Sequence, residues 1–310
     1  MKDSSSILKT LCTDRGIRIV ERFGHGGDVY VALNNDGVYK VVDADGRILV
    51  LKLALSRNSI AEIQMNRTGY RKLREAGLGW FIPEIVSIEV QEGFAFIFME
   101  YCGEDFLTAV KKSSSPTELY IKLLVELKKV YRASRHDGEE GKKMVASVMK
   151  MVIEQYERYL SQCFGRDQVV SDQLAQIESV IRAEILPSYC FSSWDFTPEN
   201  MFLNSAGLKY VDPHEDVMGI PIIDLACFSG LLIFYDVPES EKGYELFEKF
   251  ALTDVPPILS IPERSAERLF LLGRILQCFL SSRYRIDSNP EKAHKIFRDS
   301  LAYLNKCVNV

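Results

Sequence analysis

The sequence has 310 residues, of which 47% are hydrophobic and 26% are charged. These proportions are those of an ordinary globular protein, and they exclude a disordered or fibrous chain. The formal net charge of -5 argues against a nucleic-acid-binding protein, and no apolar run reaches the roughly 18–20 residues that span a membrane.

Seven cysteines are present, and their spacing contains no CxxC pair. This scattered, odd-numbered set fits neither a zinc site nor a disulfide framework. We expect free thiols in a reducing compartment, and residues 1–14 lack an apolar stretch long enough for a signal peptide. The sequence therefore predicts a cytoplasmic protein without a membrane or nucleic-acid partner.

The first hundred residues contain short runs rich in Val, Ile and Tyr that are separated by turn signals, which predicts an antiparallel meander. The predicted strands are 17–23, 28–33, 37–43 and 47–55. One helix with an apolar face then follows at 59–76, ended by glycines. Two further strands are predicted at 84–90 and 94–99.

After Gly103 the apolar spacing becomes helical. Helices are predicted at 117–134, 142–163, 171–186, 264–283 and 290–307, with short strands at 189–194, 201–203 and 208–211. A small β-rich part joined to a larger helical part predicts two lobes, residues 1–101 and 102–310. The junction would be a hinge with a ligand cleft beside it.

The segment that follows the helical region carries the clearest chemistry. Asp195 is followed by Asn200, and Asp212 ends an apolar strand. Phosphoryl transfer needs an oriented hydroxyl and metal ions that neutralise the phosphates. Asp195 would align the hydroxyl or accept its proton, and Asn200 and Asp212 would offer oxygen ligands to Mg²⁺. The alternative is an Asp and an Asn that only cap turns, since this spacing often arises by chance.

Taken in order, these pieces resemble the aminoglycoside phosphotransferase and choline kinase family, whose fold is protein-kinase-like. Asp195 and Asn200 match its catalytic loop, Asp212 matches its metal-binding aspartate, and Asp224 matches a later aspartate that braces the loop. For Asp224 the alternative is a helix cap. Ser193 departs from the family, which has histidine there.

The resemblance implies an α+β, two-lobed fold, with a small antiparallel-sheet N-terminal lobe that holds one helix and a larger, mainly helical C-terminal lobe. It also implies ATP and Mg²⁺ as cofactors. Its remaining site residues, each implied by position alone, are the nucleotide-covering glycines Gly24, Gly26 and Gly27, the phosphate-binding Lys52, and the adenine-binding backbone of Glu100 and Cys102.

Each of these roles has a simpler alternative. The glycines would also suit a tight hairpin, Lys52 an exposed sheet edge, and the segment around Glu100 a plain core strand. The resemblance further requires an acid on the helix to pair with Lys52. We choose Glu62, and a different alignment places Asn66 there.

The predicted function is an ATP- and Mg²⁺-dependent phosphotransferase that acts on a hydroxyl of a small molecule, such as an aminoglycoside, an amino alcohol or a sugar. The alternatives are a non-catalytic nucleotide-binding scaffold and a protein Ser/Thr kinase. Residues 212–224 are too few for the activation loop of a protein kinase.

Acidic clusters at 104–105, 137–140 and 215–216 are interpreted as solvated faces. If they line the acceptor site, they favour a cationic substrate. The oligomeric state stays open.

Overall fold

The computed structural model describes residues 4–23, 37–193 and 195–310. The chain divides into two compact units. Unit 1 is Met1–Gly103 with Lys209–Glu215, and unit 2 is Glu104–Leu208 with Asp216–Val310. The predicted division between residues 101 and 102 leaves out the return of the segment 209–215 to the first unit.

Unit 1 contains a five-stranded antiparallel sheet in the order β1-β2-β3-β5-β4. Its strands are β1 (Arg18–Arg22), β2 (Gly37–Val42), β3 (Ile48–Ala54), β4 (Ile85–Gln91) and β5 (Phe94–Glu100). The small antiparallel sheet predicted from the sequence is therefore confirmed. The predicted strand 28–33 lies outside the described residues.

Two helices accompany this sheet, α1 (Ser4–Asp14) and α2 (Arg57–Glu75). The sequence predicts only α2, and α1 is an addition. Ile7 and Leu11, one turn apart on α1, are buried in the core cluster that also holds Leu51 of β3. α1 thus covers one face of the sheet, which explains why β3 is buried along nearly its whole length instead of alternating.

α2 begins with a capping box, in which Ser56 and Ser59 bond each other's backbone N–H groups. Such reciprocal caps satisfy N–H groups that have no partner within the helix. The helix ends just before Gly77, whose φ of 76° suits glycine and reverses the chain. These two signals fix the position of the helix face that carries Glu62 and Asn66.

Unit 2 is mainly helical. Its helices are α3 (Phe106–Lys112), α4 (Pro116–Ala133), α5 (Glu140–Gln155), α6 (Ser161–Phe164), α7 (Gln168–Arg182), α8 (Pro221–Phe234), α9 (Ser240–Thr253), α10 (Val255–Leu259), α11 (Glu263–Arg285) and α12 (Pro290–Asn309). A π-helical turn at Tyr156–Leu160 interrupts the helix predicted over 142–163. None of the helices in the described ranges combines the length and apolarity needed to cross a bilayer.

The short strands predicted in this half are present. They are β7 (Ser188–Phe191), β8 (Met201–Asn204) and β9 (Gly207–Tyr210), and the structure adds two unpredicted strands, β6 (His136–Asp137) and β10 (Met218–Gly219). β10, β7 and β6 form one small sheet, and β8 and β9 form a hairpin. The chain returns to unit 1 within β9, so Asp212 belongs to unit 1 while Asp195, Asn200 and Asp224 belong to unit 2.

Candidate active site

Lys52 on β3 is buried, with a side chain that is 1% exposed. β3 lies between β2 and β5, so Lys52 is not on an exposed sheet edge. Its Nζ lies 2.7 Å from Glu62 Oε1 and 3.0 Å from Asp212 Oδ1. A buried ammonium requires such partners, because an unpaired charge away from water is costly.

Both helix positions that the sequence leaves open reach this lysine. Glu62 and Asn66 are one turn apart on α2, so their side chains share a face. Asn66 is buried, and its Oδ1 accepts a hydrogen bond of 3.3 Å from Lys52 Nζ. Glu62 therefore supplies the negative charge beside Lys52, and Asn66 adds a neutral acceptor.

The charge of Lys52 results from two opposing effects. Burial lowers the pKa of the ammonium, whereas the charges of Asp212 and Glu62 raise it and prevail. The pKa of Lys52 therefore lies above its ordinary value. Lys52 remains a cation at physiological pH, which is the state that binds phosphate.

Asp212 follows β9 and has a left-handed backbone with a φ of 54°. This conformation costs a non-glycine residue roughly 1–2 kcal/mol. The Tyr70 hydroxyl supports it by accepting a hydrogen bond of 3.2 Å from the Asp212 N–H. This role of Tyr70 is not predictable from the sequence, because helical spacing does not indicate what a buried hydroxyl contacts.

The Asp212 carboxylate suits a divalent cation. Its Oδ1 is buried and accepts no hydrogen bond from the described residues. The 3.0 Å approach of Lys52 Nζ is thus an ion pair without hydrogen-bond geometry. Mg²⁺ usually takes one or two carboxylates together with substrate phosphates. Within the described ranges no group of three or more His, Cys, Asp or Glu side chains is able to hold a metal.

Glu100 and Cys102 lie close together at the end of β5. Glu100 is the last residue of the strand, and the Cys102 thiol donates a weak hydrogen bond of 3.8 Å to the Glu100 carbonyl. Burial raises the pKa of Cys102 to about 12, with a further contribution from Glu100. The thiol therefore remains protonated and is not a nucleophile.

In unit 2 the segment from Asp195 to Asn200 forms a tight loop. The Asn200 side-chain amide donates to Asp195 Oδ2 at 2.7 Å and to the Asp195 carbonyl at 3.0 Å. The Phe196 ring is buried and packs against Phe191 and Phe228, at centroid distances of 6.2 and 5.2 Å. The loop is thus anchored by an aromatic ring, with the Asp195 carboxylate oriented by Asn200.

Asp224 lies in the first turn of α8 but does not cap it, since α8 begins at Pro221 with Ile220 as its N-cap. The predicted alternative of a helix cap is therefore wrong. Its Oδ2 accepts a 2.9 Å hydrogen bond from the Ser193 N–H, so Asp224 holds the start of the loop. Burial raises the pKa of Asp224 to about 7, although hydrogen bonds from Ser192 and Ser193 oppose this shift.

Solved structures show where this architecture recurs. An ADP-bound aminoglycoside phosphotransferase superposes with a TM-score of 0.55 and 16% identity, covering 99% of this chain and 98% of its own. The choline kinase LicA from Streptococcus pneumoniae superposes with a TM-score of 0.54 and 12% identity, covering 97% of this chain and 99% of its own. The chain has the fold of these small-molecule kinases.

A third structure supports the same assignment of fold. It is an aminoglycoside phosphotransferase from Streptomyces rimosus in complex with ADP and streptomycin, with a TM-score of 0.50, 15% identity, and coverage of 89% of this chain and 99% of that one. No protein-family model and no curated protein sequence matches this chain. The predicted α+β fold, with a small antiparallel sheet and a larger helical part, is confirmed.

Apart from Glu100 and Cys102 at the end of β5, the predicted site residues fall into three sets. Gly24, Gly26 and Gly27 lie outside the described residues, and their role stays a prediction. Within unit 1 the structure brings together Lys52, Glu62 and Asp212. In unit 2 one loop and its support hold Asp195, Asn200 and Asp224.

Glu199 is a further loop residue with a structural role that is not predicted from the sequence. Burial raises its pKa, while a hydrogen bond with Tyr235 opposes the shift. Its Oε2 is buried and accepts no hydrogen bond from the part of the chain described. Glu199 thus ties the loop toward the end of α8. Its position directly before Asn200 is the only signal of this role in the sequence.

The acidic clusters are mostly paired within their own segments. Asp105 caps α3 by accepting from the Thr108 N–H at 2.8 Å, and Glu104 pairs with Lys112. On α5, Glu140 lies 3.8 Å from Lys143. These contacts agree with the interpretation of solvated faces and give no support to a cation-binding role for those acids.

Proposed function

We propose that this protein is an ATP- and Mg²⁺-dependent phosphotransferase that phosphorylates a hydroxyl group of a small molecule. The observation that carries the proposal is the buried Lys52, which the carboxylates of Glu62 and Asp212 keep charged. Asp212 has a left-handed backbone, and its Oδ1 accepts no hydrogen bond from the described residues. A fold needs no such arrangement for stability, because apolar residues would fill the same space at lower cost.

In this proposal Lys52 binds the phosphates of ATP. Its ammonium is already desolvated and held in place by Glu62, so little reorganisation is needed when phosphate oxygens replace the Asp212 contact. Asp212 and Asn200 would hold Mg²⁺, which when bound neutralises charge on the phosphates. The backbone of Glu100 and Cys102 would bind adenine, and the phosphates would be covered by Gly24, Gly26 and Gly27.

Asp195 acts on the acceptor. Its carboxylate orients the acceptor hydroxyl and accepts the hydroxyl proton. At the same time the acceptor oxygen forms a bond to the γ-phosphorus, and the bond between that phosphorus and the leaving oxygen of ADP breaks. The proton then passes from Asp195 to solvent. Asn200 fixes the carboxylate through the 2.7 Å hydrogen bond, and Asp224 fixes the start of the loop through the Ser193 N–H.

A small acceptor is favoured over a protein. Only residues 213–220 separate Asp212 from α8, which leaves no room for a segment that binds a peptide. The solved structures with this fold include a choline kinase and a complex with streptomycin. We therefore propose an aminoglycoside, an amino alcohol or a sugar as the acceptor class. All seven cysteines are free, which supports a reducing compartment such as the cytoplasm.

The test is phosphate incorporation from γ-labelled ATP into aminoglycosides, amino alcohols, sugars and hydroxy amino acids, with Mg²⁺ present and then chelated. We expect label in at least one acceptor class only when Mg²⁺ is present. Label in generic protein acceptors alone would identify a protein kinase. Nucleotide binding by thermal shift without any ATP consumption would identify a non-catalytic scaffold.

A further inference from the structure

The loop that carries Asp212 rests on α2 at several consecutive backbone positions. The Lys72 ammonium donates a 2.7 Å hydrogen bond to the Glu215 carbonyl. Gly69 permits the close approach, because a Cβ at this position would lie 2.3 Å from the His214 carbonyl oxygen and 2.7 Å from that of Pro213. The helix surface therefore determines where residues 212–215 run.

Asn66 occupies the centre of this contact and uses both ends of its amide. Its Oδ1 accepts from Lys52 Nζ at 3.3 Å, and its Nδ2 donates to the Pro213 carbonyl at 3.1 Å. An ammonium only donates and a carbonyl only accepts, so one orientation of the amide satisfies both contacts. With 1% of its surface exposed, Asn66 has no water to replace either partner.

Glu62 and Asn66 thus share Lys52 as a partner but differ in what else they contact. Glu62 pairs with Lys52, whereas Asn66 also binds the backbone directly after Asp212. A change at Glu62 perturbs the lysine alone. A change at Asn66 also releases the loop that holds a left-handed aspartate, and a left-handed residue persists only where its surroundings impose it.

We propose that Asn66 is a positioning residue that couples the phosphate-binding lysine to the metal-binding loop and sets the orientation of the Asp212 carboxylate. This inference rests on the proposed function. If it is right, Asn66 contributes to nucleotide affinity only when Mg²⁺ is present, whereas Glu62 contributes with and without Mg²⁺.

The experiment measures ADP affinity of the full-length protein by calorimetry, once with Mg²⁺ and once with a chelator. Asn66→Leu removes both hydrogen bonds at similar volume, and Asn66→Asp keeps an acceptor for Lys52 but cannot donate to Pro213. We expect both variants to lose about tenfold in ADP affinity with Mg²⁺ and less than about twofold without it. The tenfold factor corresponds to the free energy of one or two buried hydrogen bonds. Glu62→Gln should weaken both affinities by a similar factor.

Gln64→Leu is the matched control, since it makes the same amide-to-leucine change on the exposed face of α2 and should leave both affinities unchanged. A purely structural role for Asn66 would lower the unfolding temperature but not the ratio of the two affinities. If both Asn66 variants show the wild-type ratio, the inference is wrong. If Asn66→Leu does not fold, Asn66→Asp decides.

Failure of the nucleotide-binding part of the proposed function has a different signature. Wild-type protein would then bind ADP under neither condition, and the inference would fall with it. Wild-type binding that depends on Mg²⁺, with an unchanged ratio in the Asn66 variants, overturns only the role of Asn66.

Discussion

Lys52 Nζ lies 3.0 Å from Asp212 Oδ1 in a site where the lysine side chain is 1% exposed and the aspartate side chain is 25% exposed. The two residues come from distant parts of the sequence, yet both belong to unit 1. Because the aspartate retains access to solvent while the lysine does not, a ligand reaches the pair from the Asp212 side. In the proposed function, the pair would exchange one partner for a ligand phosphate or cation.

Replacing Lys52 by Met should destabilise the protein by about 3–5 kcal/mol, because two carboxylates would remain partly buried without a cation. Urea unfolding measures the change, with Lys9→Met on the exposed surface of α1 as the control for a lost lysine. Adding Asp212→Asn should recover part of the loss, since one of the two unpaired charges disappears. Equal stability of the single and double variants would show that the unpaired Asp212 carboxylate costs nothing and would contradict this prediction.

Asp212→Asn should weaken nucleotide binding only when Mg²⁺ is present. Asparagine tolerates the left-handed backbone and keeps the side-chain volume, but it lacks the charge that a metal requires. We expect ADP affinity to fall by about tenfold or more with Mg²⁺ and to stay constant or rise with a chelator, because Lys52 loses a competing carboxylate. A Mg²⁺ titration identical to that of wild type would remove Asp212 from metal binding.

Asp224 should make stability dependent on pH. Burial raises its pKa to about 7 from an ordinary value of 3.8. The protonated Asp224 carboxyl therefore contributes its full stabilisation of the folded state below about pH 4, and this stabilisation is lost as pH rises through about 7. Relative to Asp224→Asn, which stays neutral, wild type should lose about 2–3 kcal/mol between about pH 5 and about pH 8. Parallel urea unfolding of both proteins gives the difference, and a difference that is constant with pH would contradict the buried acid.

The parts of the fold that are predictable from the sequence are those with strong local signals. β2, β3, β4 and β5 consist of β-branched and aromatic runs bounded by turns, and all four appear within about two residues of their predicted limits. α1 is not predicted, because its apolar pattern is brief and its stability comes from packing on the sheet through Ile7 and Leu11.

In the candidate site, too, the features with local sequence signals are predictable and those that depend on long-range packing are not. The residue types of Asp195, Asn200 and Asp212 suit phosphoryl transfer, because that chemistry requires a carboxylate for the hydroxyl and oxygen ligands for a metal. Their spacing alone often arises by chance, so the prediction also depends on the family resemblance. The role of Asn66 is not predictable, because helical spacing says which face a residue occupies but not that the Pro213 carbonyl will reach it. The placement of residues 209–215 in unit 1 depends on the same long-range packing.

The most direct test of the account is single-turnover phosphate transfer by Asp195→Asn with the acceptor that wild type uses. The variant keeps the side-chain volume and an oxygen that accepts from Asn200, but it cannot accept the hydroxyl proton. We expect the transfer rate to fall by about 10²-fold or more while ADP affinity with Mg²⁺ remains that of wild type. A transfer rate equal to that of wild type would contradict the role of Asp195 and the mechanism built on it.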